Sequence, residues 1–227
     1  MTHDDPAFEP ANPAILPPPV APETLAAILA ARLCHDLMSP ASGIVAGLDL
    51  LDDPAAKDMR AEAMDLIGAS ARKLIDSLTF YRMALGPGGS GDLVDVREVE
   101  ALARGLFSHV RPTLDWAVGA VQLPAIVAKA LLNMVQIAAA SLAAGGVARV
   151  TVKEEAPWRA IIVKANGPRA RLWPEVLTGL RGHPMSEGLA GRWVQAYYLH
   201  AMATAAGAVV AAEVGDGVVT IRAAFPL

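Results

Sequence analysis

The chain has little of what several common function classes require. Its 227 residues include a single cysteine, Cys34, so no internal disulfide can form, which suits a reducing compartment. Nowhere do histidines, cysteines and acids take a metal-ligand spacing, so no metal is expected. There is no basic cluster, and 19 Lys and Arg against 23 Asp and Glu leave a formal net charge of -4. That balance argues against nucleic acid as the main partner and leaves protein in its place. Aromatic residues are only 5% of the chain, and much of its 54% hydrophobic content is alanine, which favours helices over a thick aromatic core. Long uninterrupted apolar runs are also missing. Lys129, Asn133 and Gln136 break the window 125–144, and His200, Gly207 and Glu213 break the window 196–214, so neither is a convincing membrane span. The first residues, Met1 to Pro19, are rich in proline, acid and small side chains without the basic start and apolar run of a signal peptide. The expectation is a disordered tail over 1–20, a cytoplasmic protein and no membrane partner.

What is present is concentrated in Arg32-Leu33-Cys34-His35-Asp36-Leu37-Met38-Ser39-Pro40, a histidine followed at once by a carboxylate within an amphipathic pattern. At about 100° per residue, Leu33, Leu37, Ile44, Leu48 and Leu51 fall in one arc and His35 lies roughly opposite its centre. Arg32, Ser39 and Ser42 share the histidine's side, while Cys34 lies nearer the apolar arc and reads as a small packing residue. An outward imidazole beside a carboxylate, a hydroxyl and a guanidinium is suited to receiving and handing on a phosphoryl group. His109, His183 and His200 have no acid or metal spacing nearby in the sequence and read as structural.

Periodicity divides the rest. A helix from about Pro22 to Leu51 carries His35, with Pro40 expected to kink it and Asp52-Asp53-Pro54 to close it. From Pro54 to Leu85, Met64, Ile67, Ala71, Leu74, Leu78, Tyr81 and Leu85 form a seam of coiled-coil type. A short connection makes the two an antiparallel hairpin over 21–86, and an apolar stripe that a lone hairpin cannot bury predicts a homodimer built on a four-helix bundle. Gly-rich residues 87–91 read as a linker. Over 92–227 the pattern predicts helices at 96–107, 124–142 and 191–206. It predicts strands at 114–118, 147–152, 160–163, 208–214 and 218–225, the last two joined at Gly215-Asp216-Gly217. The fold class is α+β: a helical hairpin followed by an α/β sandwich with a mixed sheet on one side.

The hairpin with His-Asp-x-x-Ser-Pro followed by this order of elements resembles the histidine kinases, whose second half is an ATP-binding GHKL (Bergerat) fold. Closer still, Arg-Leu-Cys-His-Asp-Leu-x-Ser-Pro with a degenerate second domain resembles the ChpT-type histidine phosphotransferases of alphaproteobacterial phosphorelays. The nucleotide boxes of the kinases are eroded here. Asn133 stands where the first of two asparagines four apart belongs, but Ile137 occupies the second place, which holds magnesium in the kinases. The adenine box Asp-x-Gly-x-Gly is replaced by Ala165-Asn166-Gly167-Pro168-Arg169, and the last glycine loop is reduced to Gly188-Leu189-Ala190-Gly191. The resemblance therefore implies a relay without ATP. Neutral His35 takes a phosphoryl group from a receiver aspartate through Nδ1 or Nε2 and passes it to another receiver, and the receiver brings Mg²⁺. Histidine's ordinary pKa of about 6.5 suits this role. By the same resemblance Asp36 orients the imidazole or accepts its proton, and Ser39 is a weaker candidate for contact with the phosphoryl group. Arg32, Met38 and Ser42 are candidate receiver contacts. The donor is expected to be a hybrid kinase receiver similar to CckA, the acceptors cell-cycle response regulators similar to CtrA and CpdR. Two other readings stay open from the sequence: a non-catalytic dimeric scaffold or kinase inhibitor, and a divergent ATP-dependent kinase.

Overall fold

In the computed structural model, which describes residues 20–87, 91–184 and 190–227, the first helix (α1, Pro22–Asp52) has 31 residues and continues through Pro40. It stops where Asp53 turns extended, and Asp53 Oδ1 accepts from the Ala55 amide at 2.8 Å, capping a short 3₁₀ turn over Pro54–Met59. The second helix (α2, Arg60–Leu85) therefore begins six residues later than its apolar pattern suggests. The two helices run antiparallel and close, because α1 uses glycine at the contact. A Cβ placed on Gly47 would come within 2.5 Å of Ile67 Cγ1 and 3.0 Å of the Ala63 carbonyl.

The predicted apolar seam is only partly covered. Met64 and Leu78 are exposed, as is Leu48 of the α1 arc, and the α2 positions buried in the chain are Ala63, Phe80 and Ala84. Cys34 is exposed too, so its expected packing role is not met among the described residues.

The rest of the chain is a five-stranded sheet with helices on one face and a small two-stranded ribbon. Strands β1 (Leu93–Asp95) and β3 (Gln122–Pro124) form the antiparallel ribbon. Neither it nor the 3₁₀ turn was legible in the periodicity, and both are too short to show one. Pro124 pairs with Leu93 in the ribbon, so the helix expected from Pro124 starts at the next residue. The sheet has the order β2 (Thr113–Ala117), β4 (Val147–Glu155), β5 (Trp158–Asn166), β7 (Val218–Pro226), β6 (Val209–Gly215), parallel only between β2 and β4. Alternation sets its buried face: Val219, Ile221, Ala223 and Phe225 of β7 point inward with Ile161, Val163 and Ala165 of β5. The β6–β7 hairpin turns at Gly217, whose φ of +67° is the left-handed backbone such a turn needs.

Helices α3 (Val96–Phe107), α4 (Ala125–Ser141), α5 (Pro174–Leu180, not expected) and α6 (Ala190–Ala205) complete the fold. Asp95 caps α3 by accepting from the Arg97 amide, and the Arg97 guanidinium beside it lowers its carboxyl to about 2. Phe80 and Ala84 of α2 belong to the same buried core as α3, α4 and the sheet. A second cluster, Trp193, Val194 and Tyr197 of α6, receives Leu25, Ile28 and Leu29 from the start of α1. Full burial of a large apolar side chain contributes about 1.5–3 kcal/mol, which Phe80 approaches and the half-buried Leu25, Ile28 and Leu29 reach in part, so the hairpin is docked at both its first and last turns. No helix among the described residues is long and apolar enough to cross a membrane. Of the expected tail over 1–20, residues 1–19 lie outside the described residues, as do 88–90 of the linker and 188–189 of the last glycine loop, while the Val20 amide donates to the Tyr197 hydroxyl at 2.8 Å.

Candidate functional site

His35 lies mid-way along α1 with its side chain 86% exposed, on the outward side that the apolar periodicity assigns to it. The exposed residues Met38, Ser39 and Ser42 follow it within two turns. Its Nδ1 lies 3.2 Å from Oδ1 of Asp36, whose own side chain is only 20% exposed. An ionised carboxylate can only accept, so this contact places the imidazole proton on Nδ1 and leaves the Nε2 lone pair facing solvent.

Asp36 is held from its other oxygen. Oδ2 accepts from Arg32 Nε at 2.7 Å and from the Tyr81 hydroxyl at 2.6 Å. Burial pushes the Asp36 carboxyl up, but the hydrogen bonds from Tyr81 and Arg32 and the Arg32 charge outweigh it and hold the group below the usual carboxylate range. The same proximity acts oppositely on the phenol. Burial, then the neighbouring carboxylate, raise Tyr81, which stays protonated and donating across any working pH.

Tyr81 is a member of the apolar seam by position, and its ring does pack edge-on against Phe80, with centroids 5.7 Å apart. Its hydroxyl does more, because it also accepts from Gln136 Nε2 at 2.9 Å, and Gln136 Oε1 in turn accepts from Gln195. Arg32 is likewise shared, its Nη1 donating to the Gly191 carbonyl at 2.5 Å. Helices α4 and α6 thus reach the carboxylate beside His35. The partner of Arg32 chosen by the fold is internal, although the residue also lines an open cavity of about 290 Å³ with Ile137, Arg171, Trp173, Arg192 and Gln195.

Sequence spacing left His109, His183 and His200 without partners, and the fold supplies some. His109 Nε2 meets Asp76 Oδ2 at 2.7 Å, tying the loop after α3 to α2, and His200 Nδ1 meets the Leu180 carbonyl at 3.0 Å. Both are contacts within the fold, and His109 gains from α2 an acid that its sequence neighbourhood lacks.

The residues of the eroded nucleotide boxes make contacts within the chain. Asn133 is fully buried and its amide donates to the carbonyls of Ala84 and Lys129. Ile137 adds an aliphatic side chain with no ligand atom. Ala165 is buried within β5, and the Gly167 amide donates to Gly217. Arg171 and Arg192 stack over the Trp173 ring at 4.1 and 4.2 Å. Among the described residues no cluster of three or more histidines, cysteines and acids is placed to hold a metal ion.

The chain resembles known proteins over most of its length. The family model described as histidine phosphotransferase C-terminal domain matches residues 96–218. The chain is similar to protein phosphotransferase ChpT of Brucella abortus (strain 2308), at 32% identity over 85% of this chain and 91% of that one. It is also similar to the solved structure titled 1.7 Angstrom Structure of a Bacterial Phosphotransferase, with a TM-score of 0.81 and 29% identity over 92% of this chain and 99% of that one. A more distant likeness is the Acinetobacter baumannii histidine kinase AdeS, at 10% identity and a TM-score of 0.47, covering 85% of this chain and 97% of that one. By the family model and the Brucella relative, the chain belongs to the histidine phosphotransferase family.

Proposed function

We propose that the protein shuttles phosphoryl groups between receiver domains through His35, without ATP. The observation that carries this is the pairing of an 86% exposed imidazole with a held carboxylate on its Nδ1 side. In the first step the Nε2 lone pair attacks the phosphorus of an aspartyl phosphate. The N–P bond forms as the bond from phosphorus to the donor carboxylate breaks, and that carboxylate leaves. The Nδ1 proton stays in place, and Asp36 balances the imidazolium charge of the phosphohistidine. In the second step an acceptor aspartate attacks and His35 leaves neutral. Alignment and charge neutralisation account for most of such catalysis, so one imidazole on a rigid helix is sufficient, with Mg²⁺ brought by the receiver.

The donor is a hybrid kinase's receiver, similar to CckA, and the acceptors are response-regulator receivers similar to CtrA and CpdR, in the cytoplasm. Met38, Ser39 and Ser42 form the face that a receiver meets, with Arg32 at its edge. Two chains pair through the exposed apolar side of the hairpin, where Met64 and Leu78 stand. The test is to mix the full chain with a phosphorylated receiver in the absence of ATP. Acid-labile, base-stable phosphate is expected on the native chain and none on His35→Ala. Normal relay by His35→Ala would overturn the assignment, and no label from any of several receivers would leave a scaffold in its place.

A further inference from the structure

Four side chains from four helices line up behind His35, and the first three donate in one direction toward the fourth. Gln195 on α6 donates to Gln136 on α4, Gln136 donates to the Tyr81 hydroxyl on α2, and Tyr81 donates to Asp36 Oδ2 on α1. Each acceptor in the series is itself the next donor, and the series ends on a group that can only accept. Hydrogen bonds arranged head to tail polarise one another, more so where water is scarce. Here its access is restricted: Tyr81, Gln136 and Gln195 are half-buried, and the cleft that they line with Arg32, Leu33 and Leu85 holds only about 10 Å³.

The geometry behind the carboxylate leaves it little freedom. Arg32 and Tyr81 both bind Oδ2, from different helices, so Oδ1 is fixed toward the imidazole. Arg32 comes from the same helix and by itself leaves the carboxylate free to rock with the helix surface. Tyr81 is anchored 45 positions away, and Gln136 fixes its hydroxyl so that the proton points to Asp36 and the lone pair away from it.

We infer that Tyr81 and Gln136 are positioning residues for phosphoryl transfer: they hold the Asp36 carboxylate so that His35 presents Nε2, and the C-terminal domain sets the reactivity of the hairpin's histidine through them. This rests on the proposed role of His35. Neither residue touches the reacting atoms. Their effect is on which nitrogen carries the proton and on how steadily that nitrogen faces the carboxylate.

The experiment uses the full chain with Tyr81→Phe, Gln136→Leu, their double variant and His35→Ala. Phosphoryl transfer from a phosphorylated receiver is timed across a pH series, and the His35 tautomer is read by long-range ¹H–¹⁵N correlation. Tyr81→Phe keeps the ring and its packing on Phe80, so the fold is retained. It is expected to slow transfer roughly tenfold, the weight of one hydrogen bond to a charged group. The charged and titratable groups around Asp36 are Arg32 and His35 of its own helix and Tyr81 of α2, while α4 and α6 face it with the neutral Gln136 and Gln195. Without the phenol the carboxylate protonates more easily, so the acid limb of the pH profile moves to higher pH, and part of the His35 population shifts from Nδ1–H to Nε2–H. Gln136→Leu gives a smaller change of the same kind, and the double variant matches Tyr81→Phe alone, because Gln136 acts only through the phenol. A native rate, tautomer and pH profile in Tyr81→Phe, with His35→Ala inactive, would overturn the inference while leaving the phosphoacceptor intact. So would a double variant whose effects simply add. Normal transfer by His35→Ala would remove the underlying reading instead.

Discussion

The phenol of Tyr81 and the carboxylate of Asp36, 45 positions apart in the chain, meet at 2.6 Å on the inner side of the helical hairpin. One end of the carboxylate is thereby fixed to α2, and the other faces an exposed imidazole. Most of the expected behaviour of variants follows from that division.

Asp36→Asn replaces an obligate acceptor by a group that can donate. Its amide can satisfy Nδ1 as an acceptor, placing the imidazole proton on Nε2, where it blocks attack. A residual rate is expected at roughly 10²–10⁴-fold below native, the range lost when a general base or tautomer-setting acid is removed. The check is single-turnover transfer from a phosphorylated receiver, and a near-native rate would remove Asp36 from the chemistry.

The same carboxylate makes stability depend on pH. Its folded-state pKa lies below the ordinary value, so its contribution is present above the ordinary carboxylate range and is lost as pH falls through the folded value. The urea midpoint of the native protein should exceed that of Asp36→Asn most at neutral pH, and the gap should close below about pH 4. Equal gaps at pH 7 and pH 3 would show that the Tyr81 and Arg32 bonds add nothing to the fold.

Gly47 sets how closely the two hairpin helices approach. In an ordinary exposed helix Gly→Ala gains about 1 kcal/mol, but here the added Cβ meets Ile67 and the Ala63 carbonyl. Overpacking of this kind costs about 1–3 kcal/mol, so Gly47→Ala should lower the melting temperature despite its better propensity. A raised melting temperature would mean that the hairpin opens without cost.

Pairing of two chains through the hairpin predicts that Met64→Glu with Leu78→Glu turns a dimer into a monomer by light scattering. Both side chains are exposed in the single chain, so the substitutions remove nothing from its own core. A native protein that is already monomeric at micromolar concentration would refute the pairing.

Nucleotide should leave the protein unmoved. A ligand that binds only the folded state raises the melting temperature, by an amount that grows with the logarithm of its concentration over its Kd. With Ile137, and an Asn133 that is buried and bonded within the chain, at the places that the resemblance to the kinases assigns to magnesium binding, millimolar Mg²⁺-ATP should not shift it. A clear rise would restore the kinase reading.

The sequence announced the histidine because it stands against a strong periodic background: the leucines of α1 define an inside, and His35 is what faces the other way. Tyr81 gave no such signal. Its position on α2 suits a packed aromatic, and nothing local to it tells where its hydroxyl ends. The signal that was available lay in α4. Lys129, Asn133 and Gln136 look like mere interruptions of an apolar run, yet they recur at steps of four and three, so they share one face. In the structure that face bonds to the Gly86 carbonyl, the Ala84 carbonyl and the Tyr81 hydroxyl in turn. Polar residues repeated at helical spacing within a buried helix mark the surface on which another element docks. The exposure of Cys34 and Leu48 was hidden for the opposite reason, since periodicity defines an apolar arc but not how much of it the same chain covers.

The stripe on α4 also bears on what could be cut from what. The last carbonyls of a helix ordinarily have no partner within it, and those at the end of α2 find theirs on the next domain, in Lys129 and Asn133. Phe80 and Ala84 are roofed by that same domain. A glycine-rich boundary in the composition is therefore not a seam in the energetics. The hairpin, severed at residue 87, would be left with a frayed final helical turn, a bared phenylalanine and a tyrosine whose hydroxyl has lost its donor, so its modularity is one of sequence and not of folding.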